Sequence, residues 1–139
     1  MAEYQKPLPI PNEDTKPFWD GLKNHRLSIQ KCRQCGRFRF PPRVICPHCM
    51  STETQWVEVK GKGTVYSFTI VYHAYTPAYE SEVPYVVAIV ELEEGIRLIT
   101  NIIGCNPEQV QIGVPVELAF EDVTPELTLH KFRPVTLRP

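Results

Sequence analysis

The residues best suited to chemistry in this sequence are four cysteines arranged in two pairs. Cys32-Arg-Gln-Cys35 and Cys46-Pro-His-Cys49 each place two residues between their cysteines, and ten residues separate the two pairs. Each pair forms a tight knuckle whose sulfurs face one centre, and two knuckles bring four thiolates to about 2.3 Å from one Zn²⁺. The spacing therefore predicts one structural zinc ion with Cys32, Cys35, Cys46 and Cys49 as its ligands.

Two disulfides or an iron site are the alternatives to zinc. The N-terminal residues contain no apolar segment of the kind found in signal peptides, so we expect a cytoplasmic and reducing compartment, in which disulfides are rare. Four sulfurs fill the coordination shell of zinc and leave no position for water or substrate. The metal is therefore expected to be structural. His48 lies between two ligands, and we expect its side chain to point away from the metal.

The remaining candidates for catalysis are Cys105, His73 and His130. A nucleophilic cysteine needs a base and a group that orients the base, and the residues around Cys105 suggest neither. No GxSxG, HExxH, P-loop or Rossmann glycine pattern occurs in the sequence. We therefore expect no catalytic residues, and a free-standing enzyme that uses these three side chains is kept as an alternative.

Basic side chains are concentrated around the four cysteines. Residues 1–60 contain ten Lys and Arg against six Asp and Glu, whereas residues 61–139 contain five against ten. The net charge of −1 therefore hides a +4 half and a −5 half, and it excludes a bulk polycation built for duplex nucleic acid. This change in composition predicts two modules with a boundary near residues 60–63.

The residues before the cysteines are expected to form an extended arm and one short helix. Residues 1–12 carry alternating prolines, which favour an extended conformation. Residues 15–24 are expected to be helical, with Phe18 and Trp19 on the apolar side. Because so short a helix is unstable alone, Phe18 and Trp19 are a candidate docking surface for a partner. Packing against the adjacent cysteine module is the alternative.

From Gly61 onward the pattern changes to short strands. The expected strands are residues 64–73, 85–92, 96–103, 114–121 and 127–135. Alternation in the first of them places Tyr66, Phe68, Ile70 and Tyr72 on one face, as candidates for the core. Five strands without a large helix fit a small barrel such as the OB-fold better than a β-sandwich, which usually has about seven.

Several segments of the sequence resemble a known family. They are KPFWDGL from Lys16, CRQCGRFRFPPR from Cys32, CPHC from Cys46 and GKGTVYSF from Gly61. They resemble the zinc-ribbon/OB-fold proteins long labelled a domain of unknown function and associated with acyl-CoA enzymes. The likeness extends from about residue 10 to residue 137, and the PFW and RFPPR strings are more specific than the cysteine knuckles.

The resemblance implies a mostly-β fold in three parts. These are an N-terminal arm and helix at residues 1–26, a rubredoxin-like zinc ribbon at residues 27–60 and a five-stranded OB-fold barrel at residues 61–139. It also implies a non-catalytic accessory or scaffold subunit that docks on thiolase-like enzymes or on MaoC-type enoyl-CoA hydratases.

Coenzyme A is a polyanion, and basic side chains of the zinc ribbon are suited to its phosphates. The candidates are Lys31, Arg33, Arg37, Arg39 and Arg43. A solvated face, or docking on an acidic partner, is the alternative interpretation of this basic group.

A module that binds single-stranded nucleic acid is the alternative function. Zinc ribbons and OB-folds both bind nucleic acids, and the first barrel strand carries Tyr66, Phe68 and Tyr72. The charge of −5 in the barrel half argues against it, because a groove for single strands is expected to be electropositive. No apolar run reaches the roughly 18 residues of a membrane span.

Overall fold

A computed structural model describes residues 6–135 of the chain as one helix and eight strands, with 3₁₀ turns at Pro77–Tyr79 and Pro107–Gln109. The helix, α1, spans Lys16–Lys23. The strands are β1 (Leu27–Cys32), β2 (Phe38–Arg39), β3 (Thr54–Val59), β4 (Lys62–Val71), β5 (Tyr85–Leu92), β6 (Arg97–Ile102), β7 (Pro115–Thr124) and β8 (Leu127–Pro134).

The first three strands form a small antiparallel sheet in the order β2-β1-β3. Leu27 is paired with Val59 at one end of the β1–β3 ladder, and Cys32 is paired with Thr54 at the other. Cys35 follows in the connection from β1 to β2, while Cys46 and Cys49 lie in the connection from β2 to β3. The sheet therefore brings the two cysteine pairs to the same end.

The last five strands close into a barrel in the order β4-β5-β6-β8-β7. Neighbouring strands are antiparallel except β6 and β8, which meet in parallel where Ile102 is paired with Phe132. Glu93-Glu94-Gly95 turns the chain between β5 and β6, and Gly95 takes the positive φ of 90° that this turn requires. The predicted mostly-β fold with a five-stranded barrel is confirmed.

A single hydrophobic core joins the two sheets. Phe18 and Leu22 of α1 and Leu27 and Ile29 of β1 belong to the same cluster of buried side chains as the barrel interior. Within the barrel, the cluster contains Phe132, which has no exposed surface, and the inward-facing side chains of β5, which are Val86, Ala88, Val90 and Leu92. The helix and the small sheet are therefore packed on the barrel.

The expectation that Tyr66 and Tyr72 lie in the core is wrong. Tyr66 is 45% exposed and Tyr72 is 67% exposed, whereas Val65 is buried. For Tyr66 the cause is a β-bulge between Val65 and Ser67, where the pairing of β4 with β5 shifts by one residue. Tyr72 lies beyond Val71, the last residue of β4. A simple alternation of faces across residues 64–73 cannot anticipate such a shift.

The predicted division at residues 1–26, 27–60 and 61–139 stays a prediction, and residues 1–5 and 136–139 lie outside the described part of the chain. The link between the small sheet and the barrel runs from Val59 to Lys62. In the described part of the predicted arm, the Lys6 ammonium lies 2.7 Å from Glu82. No helix within residues 6–135 has the length and apolarity needed to cross a membrane.

Candidate metal centre and the adjoining basic residues

The four cysteine sulfurs lie close enough together to share one metal ion. All four are within 4.8 Å of one another. Sγ of Cys32 is 3.5 Å from Sγ of Cys49, and Sγ of Cys35 is 3.7 Å from Sγ of Cys46. A regular tetrahedron with Zn–S bonds of about 2.3 Å has sulfurs about 3.8 Å apart. The arrangement therefore fits a four-coordinate zinc ion and leaves no ligand position open.

The two knuckles have the same backbone geometry. The N–H of Gly36 donates to the carbonyl of Cys32 over 3.0 Å, and the N–H of Met50 donates to the carbonyl of Cys46 over 2.9 Å. Gly36 has φ of 75°, and Met50 matches it with φ of 66°. Met50 thus adopts the left-handed conformation that Gly36 has in the first knuckle. The second knuckle therefore keeps its geometry although it has methionine in place of glycine.

A backbone amide prepares the sulfur of Cys32 for metal binding. The N–H of Cys35 approaches Cys32 Sγ to 3.5 Å, and this contact lowers the pKa of the Cys32 thiol to about 6. A lowered pKa favours the thiolate, which is the form that ligates zinc. A bound zinc ion would link the two knuckles and would not act on a substrate.

His48 is placed outside the metal centre, as its position between the ligands predicts. It is exposed, and its Nδ1 lies 2.8 Å from Arg37 Nη1. Because arginine can only donate, Nδ1 accepts this hydrogen bond. A neutral His48 therefore carries its hydrogen on Nε2.

The five predicted phosphate-binding side chains have different environments. Arg33, Arg37 and Arg43 are exposed, and Lys31 is half-buried with its ammonium 5.1 Å from the centre of the Phe38 ring. Arg39 is only 5% exposed. Its guanidinium donates to the carbonyl of Arg43 and to the hydroxyl of Thr54, so it braces the ribbon internally. Their assignment to phosphate binding stays a prediction, and the structure gives Arg39 an internal contact as well.

Arg39 and Arg43 also line a cavity of about 340 Å³ between the small sheet and the barrel. His48 lines it from the second knuckle, and Arg97 lines it from the start of β6. The sequence analysis included neither residue in the basic group. Arg97 lies 54 positions after Arg43 in the chain (97 − 43), so no local pattern links the two.

The predicted docking pair separates into an internal residue and a half-exposed one. Phe18 is 3% exposed, and its ring makes edge contacts with those of Phe40 and His130, with centroids 5.4 Å and 5.7 Å away. Trp19 is half-buried beside it. In the single chain, Phe18 packs internally, so a docking role on α1 now depends on Trp19 and stays a prediction.

The alternative catalytic residues do not form a catalytic arrangement in the structure. Burial raises the pKa of the Cys105 thiol, which disfavours the nucleophilic thiolate. Nε2 of His130 lies 3.0 Å from the carbonyl of Ile99, which leaves only Nδ1 as an acceptor. His73 is exposed and packs edge-on against Tyr75.

His130 predicts a pH dependence of stability. Burial among Phe18, Phe40 and the barrel lowers the pKa of this imidazole, and its Nδ1 has no partner among the described residues. Below the ordinary pKa of about 6.5 the unfolded chain therefore binds a proton that the folded chain does not. As the pH drops below about 6.5, the free energy of unfolding is therefore expected to decrease, by up to about 1.4 kcal/mol per pH unit.

Urea unfolding between about pH 5 and pH 7.5 measures this effect. His130→Gln should flatten the slope below about pH 6.5, and the exposed His73→Gln should leave it unchanged. Equal slopes for the parent chain and His130→Gln would contradict the assignment.

A four-cysteine ribbon followed by a five-stranded barrel defines a zinc-ribbon/OB-fold protein. Two family models match it: "ChsH2, rubredoxin-like zinc ribbon domain" over residues 19–55 and "ChsH2, C-terminal OB-fold domain" over residues 56–121. The chain belongs to this family of ChsH2-like, DUF35-type proteins. Its four cysteines form the zinc site of the rubredoxin-like ribbon, so the predicted single zinc cofactor is confirmed.

Similar proteins cover most of the chain. A "DUF35 domain-containing scaffold protein" of Methanocaldococcus jannaschii is 40% identical over 84% of this chain and 88% of its own length. A "Probable enoyl-CoA hydratase alpha subunit" of Thermomonospora curvata is 46% identical over 93% of this chain. The present chain spans only 40% of the length of that protein.

Two further likenesses come from an enzyme subunit and a solved structure. "Benzoylsuccinyl-CoA thiolase subunit BbsA" of Geobacter metallireducens is 30% identical over 70% of this chain and 58% of its own length. A solved chain described as "Ltp2-ChsH2(DUF35) aldolase" is 45% identical, with a TM-score of 0.84 over 93% of this chain and 100% of that chain.

Proposed function

We propose that this chain is a non-catalytic accessory subunit that docks on thiolase-like or hydratase enzymes and contacts their acyl-CoA. The observation that carries the proposal is the structural agreement with the chain described as Ltp2-ChsH2(DUF35) aldolase. The match covers the whole length of that chain. Relatives named as scaffold proteins and as subunits of CoA enzymes support the same role.

The chemistry of the described residues supports an accessory role over catalysis. The zinc site uses all four positions for sulfur, so it offers none to a substrate. Cys105 is held towards its thiol form, and His130 is committed to a backbone carbonyl. Neither supplies the activated nucleophile that acyl transfer requires. Reduced cysteines also fit a cytoplasmic location, which remains part of the proposal.

Docking on a partner is assigned to the exposed part of α1. Trp19 presents a large aromatic side chain that is only partly covered, and such residues are common anchors of interfaces. Contact with acyl-CoA is assigned to the basic side chains at the ribbon surface, which are the exposed Arg33, Arg37 and Arg43 and the half-buried Lys31. Arg39 holds the backbone of Arg43 in place by donating a hydrogen bond to its carbonyl.

Affinity purification of the tagged chain from its native cell tests the proposal. We expect a thiolase-like or hydratase subunit to co-purify. Trp19→Ala should weaken that association about tenfold or more, as truncation of an aromatic anchor does. Ile112→Ala is the matched control, because Ile112 is 72% exposed and lies outside α1.

Recovery of the chain without any such enzyme would contradict the accessory role. If the lone chain also binds labelled single strands with a steep salt dependence, the nucleic-acid alternative holds instead. The exposure of Tyr72 makes this alternative worth measuring, since stacking on bases needs open aromatic rings. The ring of Tyr66 is already covered by Arg97, whose guanidinium carbon lies 3.7 Å from the ring centroid.

A further inference from the structure

The cavity between the small sheet and the barrel is lined by cationic and apolar groups. Arg39, Arg43 and His48 line it from the ribbon, while Gly95 lines it from the β5–β6 turn and Arg97 from the start of β6. None of its lining residues is acidic. With a volume of about 340 Å³, it is large enough for part of a small ligand.

Arg39 places a buried positive charge beside this cavity. Its side chain is 5% exposed, and its contacts are the carbonyl of Arg43 and the hydroxyl of Thr54. Within the described chain no carboxylate pairs with it, and its Nη1 has no hydrogen-bond partner. A buried charge without a counter-ion is costly, so an anion held in the cavity would stabilise the ribbon.

The groups able to contact such an anion directly are Arg43, Arg97 and His48. Arg43 uses its backbone for internal hydrogen bonds, while its side chain is exposed. Arg97 is oriented by the ring of Tyr66 and by Glu91 Oε2, which lies 2.8 Å from its Nε. His48 accepts from Arg37 at Nδ1, which leaves Nε2 as a donor.

The charges of the site match a multiply charged anion. Three arginines contribute +3, and Glu91 beside Arg97 contributes −1, so these four side chains carry +2. Guanidinium groups bind phosphate oxygens through paired hydrogen bonds. A diphosphate is therefore better suited to the cavity than a single carboxylate.

We propose that this cavity binds the diphosphate group of a ligand, with Arg43, Arg97 and His48 in contact and with Arg39 as a further, buried positive charge. The identity of the ligand as coenzyme A rests on the proposed function, whereas the anion site itself does not. The site keeps Arg39 and Arg43 of the predicted basic group and adds His48 and Arg97. Lys31, Arg33 and Arg37 do not line it.

Binding of inorganic pyrophosphate to the zinc-loaded full chain tests the site. Calorimetry in phosphate-free buffer should show saturable binding that weakens at least tenfold in the double variant Arg43→Gln/Arg97→Gln. The lysine pair Arg43→Lys/Arg97→Lys should recover part of the affinity, because it keeps the charges. Arg133→Gln is the matched control, since Arg133 also pairs with a glutamate on the barrel surface, Glu117, at 3.1 Å.

Two results would overturn the site. One is the absence of binding at about 10 mM pyrophosphate, which would fill roughly nine-tenths of a site with a Kd of 1 mM. The other is equal affinity of the parent chain and the double glutamine variant. Arg39 is left unchanged in this experiment, because its replacement would also remove the internal hydrogen bonds of the ribbon.

The same variants distinguish the source of the diphosphate. Coenzyme A should compete with pyrophosphate in the parent chain and lose affinity in the double variant. A single-stranded oligonucleotide that competes more strongly than coenzyme A would overturn the assignment of the ligand. These affinities are measured on the isolated chain and therefore test the anion site by themselves. A failure to co-purify an enzyme would contradict the proposed function but not the anion site.

Discussion

Replacement of Cys46 by serine is expected to empty the metal centre and to unfold the small sheet together with the barrel that shares its core. Cys46 is 1% exposed, and its sulfur lies 3.7 Å from that of Cys35. Strand β2 contains only two residues, so backbone pairing alone cannot hold the three-stranded sheet together. Zinc binding supplies about 10–16 kcal/mol in zinc-finger peptides at neutral pH, and most of it is lost with a thiolate ligand.

Metal analysis and circular dichroism after dialysis against a mild chelator measure this loss. The parent chain should retain one zinc per chain, and Cys46→Ser should retain almost none. Cys105→Ser is the matched control, because Cys105 lies outside the group of four cysteines. His48→Ala should likewise keep its zinc, since the ring of His48 faces Arg37. A Cys46→Ser chain with full zinc content would disprove the four-cysteine site.

Replacement of Phe18 by alanine is expected to lower the free energy of unfolding by about 3–5 kcal/mol, the usual cost of removing a buried aromatic ring. Phe18 is 3% exposed and joins three parts of the chain. Its ring centroid lies 5.0 Å from Trp19 in the helix, 5.4 Å from Phe40 in the ribbon and 5.7 Å from His130 in the barrel. Because small domains are stable by only about 5–15 kcal/mol, this is a severe loss.

Urea unfolding of the isolated, zinc-loaded chain measures the change. Trp19→Ala is the neighbouring control, and it should cost clearly less because Trp19 is already half-exposed. Phe18→Leu should recover much of the stability, because it refills most of the space. A Phe18→Ala chain of unchanged stability that fails to bind a partner enzyme would return Phe18 to the docking surface and contradict its internal role.

Features that depend on local spacing could be predicted from the sequence. The zinc site follows from two CxxC pairs, because the geometry of a knuckle is determined within a few residues. The same holds for the two strands on either side of Gly95 and for the helix that contains Phe18, because their residue patterns are local. The five-stranded barrel architecture followed from the number and spacing of strands.

Features that depend on packing between distant segments could not be predicted. The bulge after Val65 exposes Tyr66, and nothing in the alternating pattern of β4 signals it. The sequence places Arg97 in a barrel hairpin, and only the packing of that hairpin on the ribbon brings it beside Arg43. Burial of Arg39 is a similar case, because the residue is one of several arginines in a basic segment.

The continuous core from α1 through the barrel has a consequence for cooperativity. Because Leu22 and Ile29 share one cluster with Phe132, the ribbon and the barrel are expected to unfold in a single transition rather than as two independent units. Zinc binding then stabilises the whole chain against unfolding, and this stabilisation rises with the concentration of free zinc. The supply of zinc thereby determines how much folded barrel is present, although all four cysteine ligands lie in the ribbon.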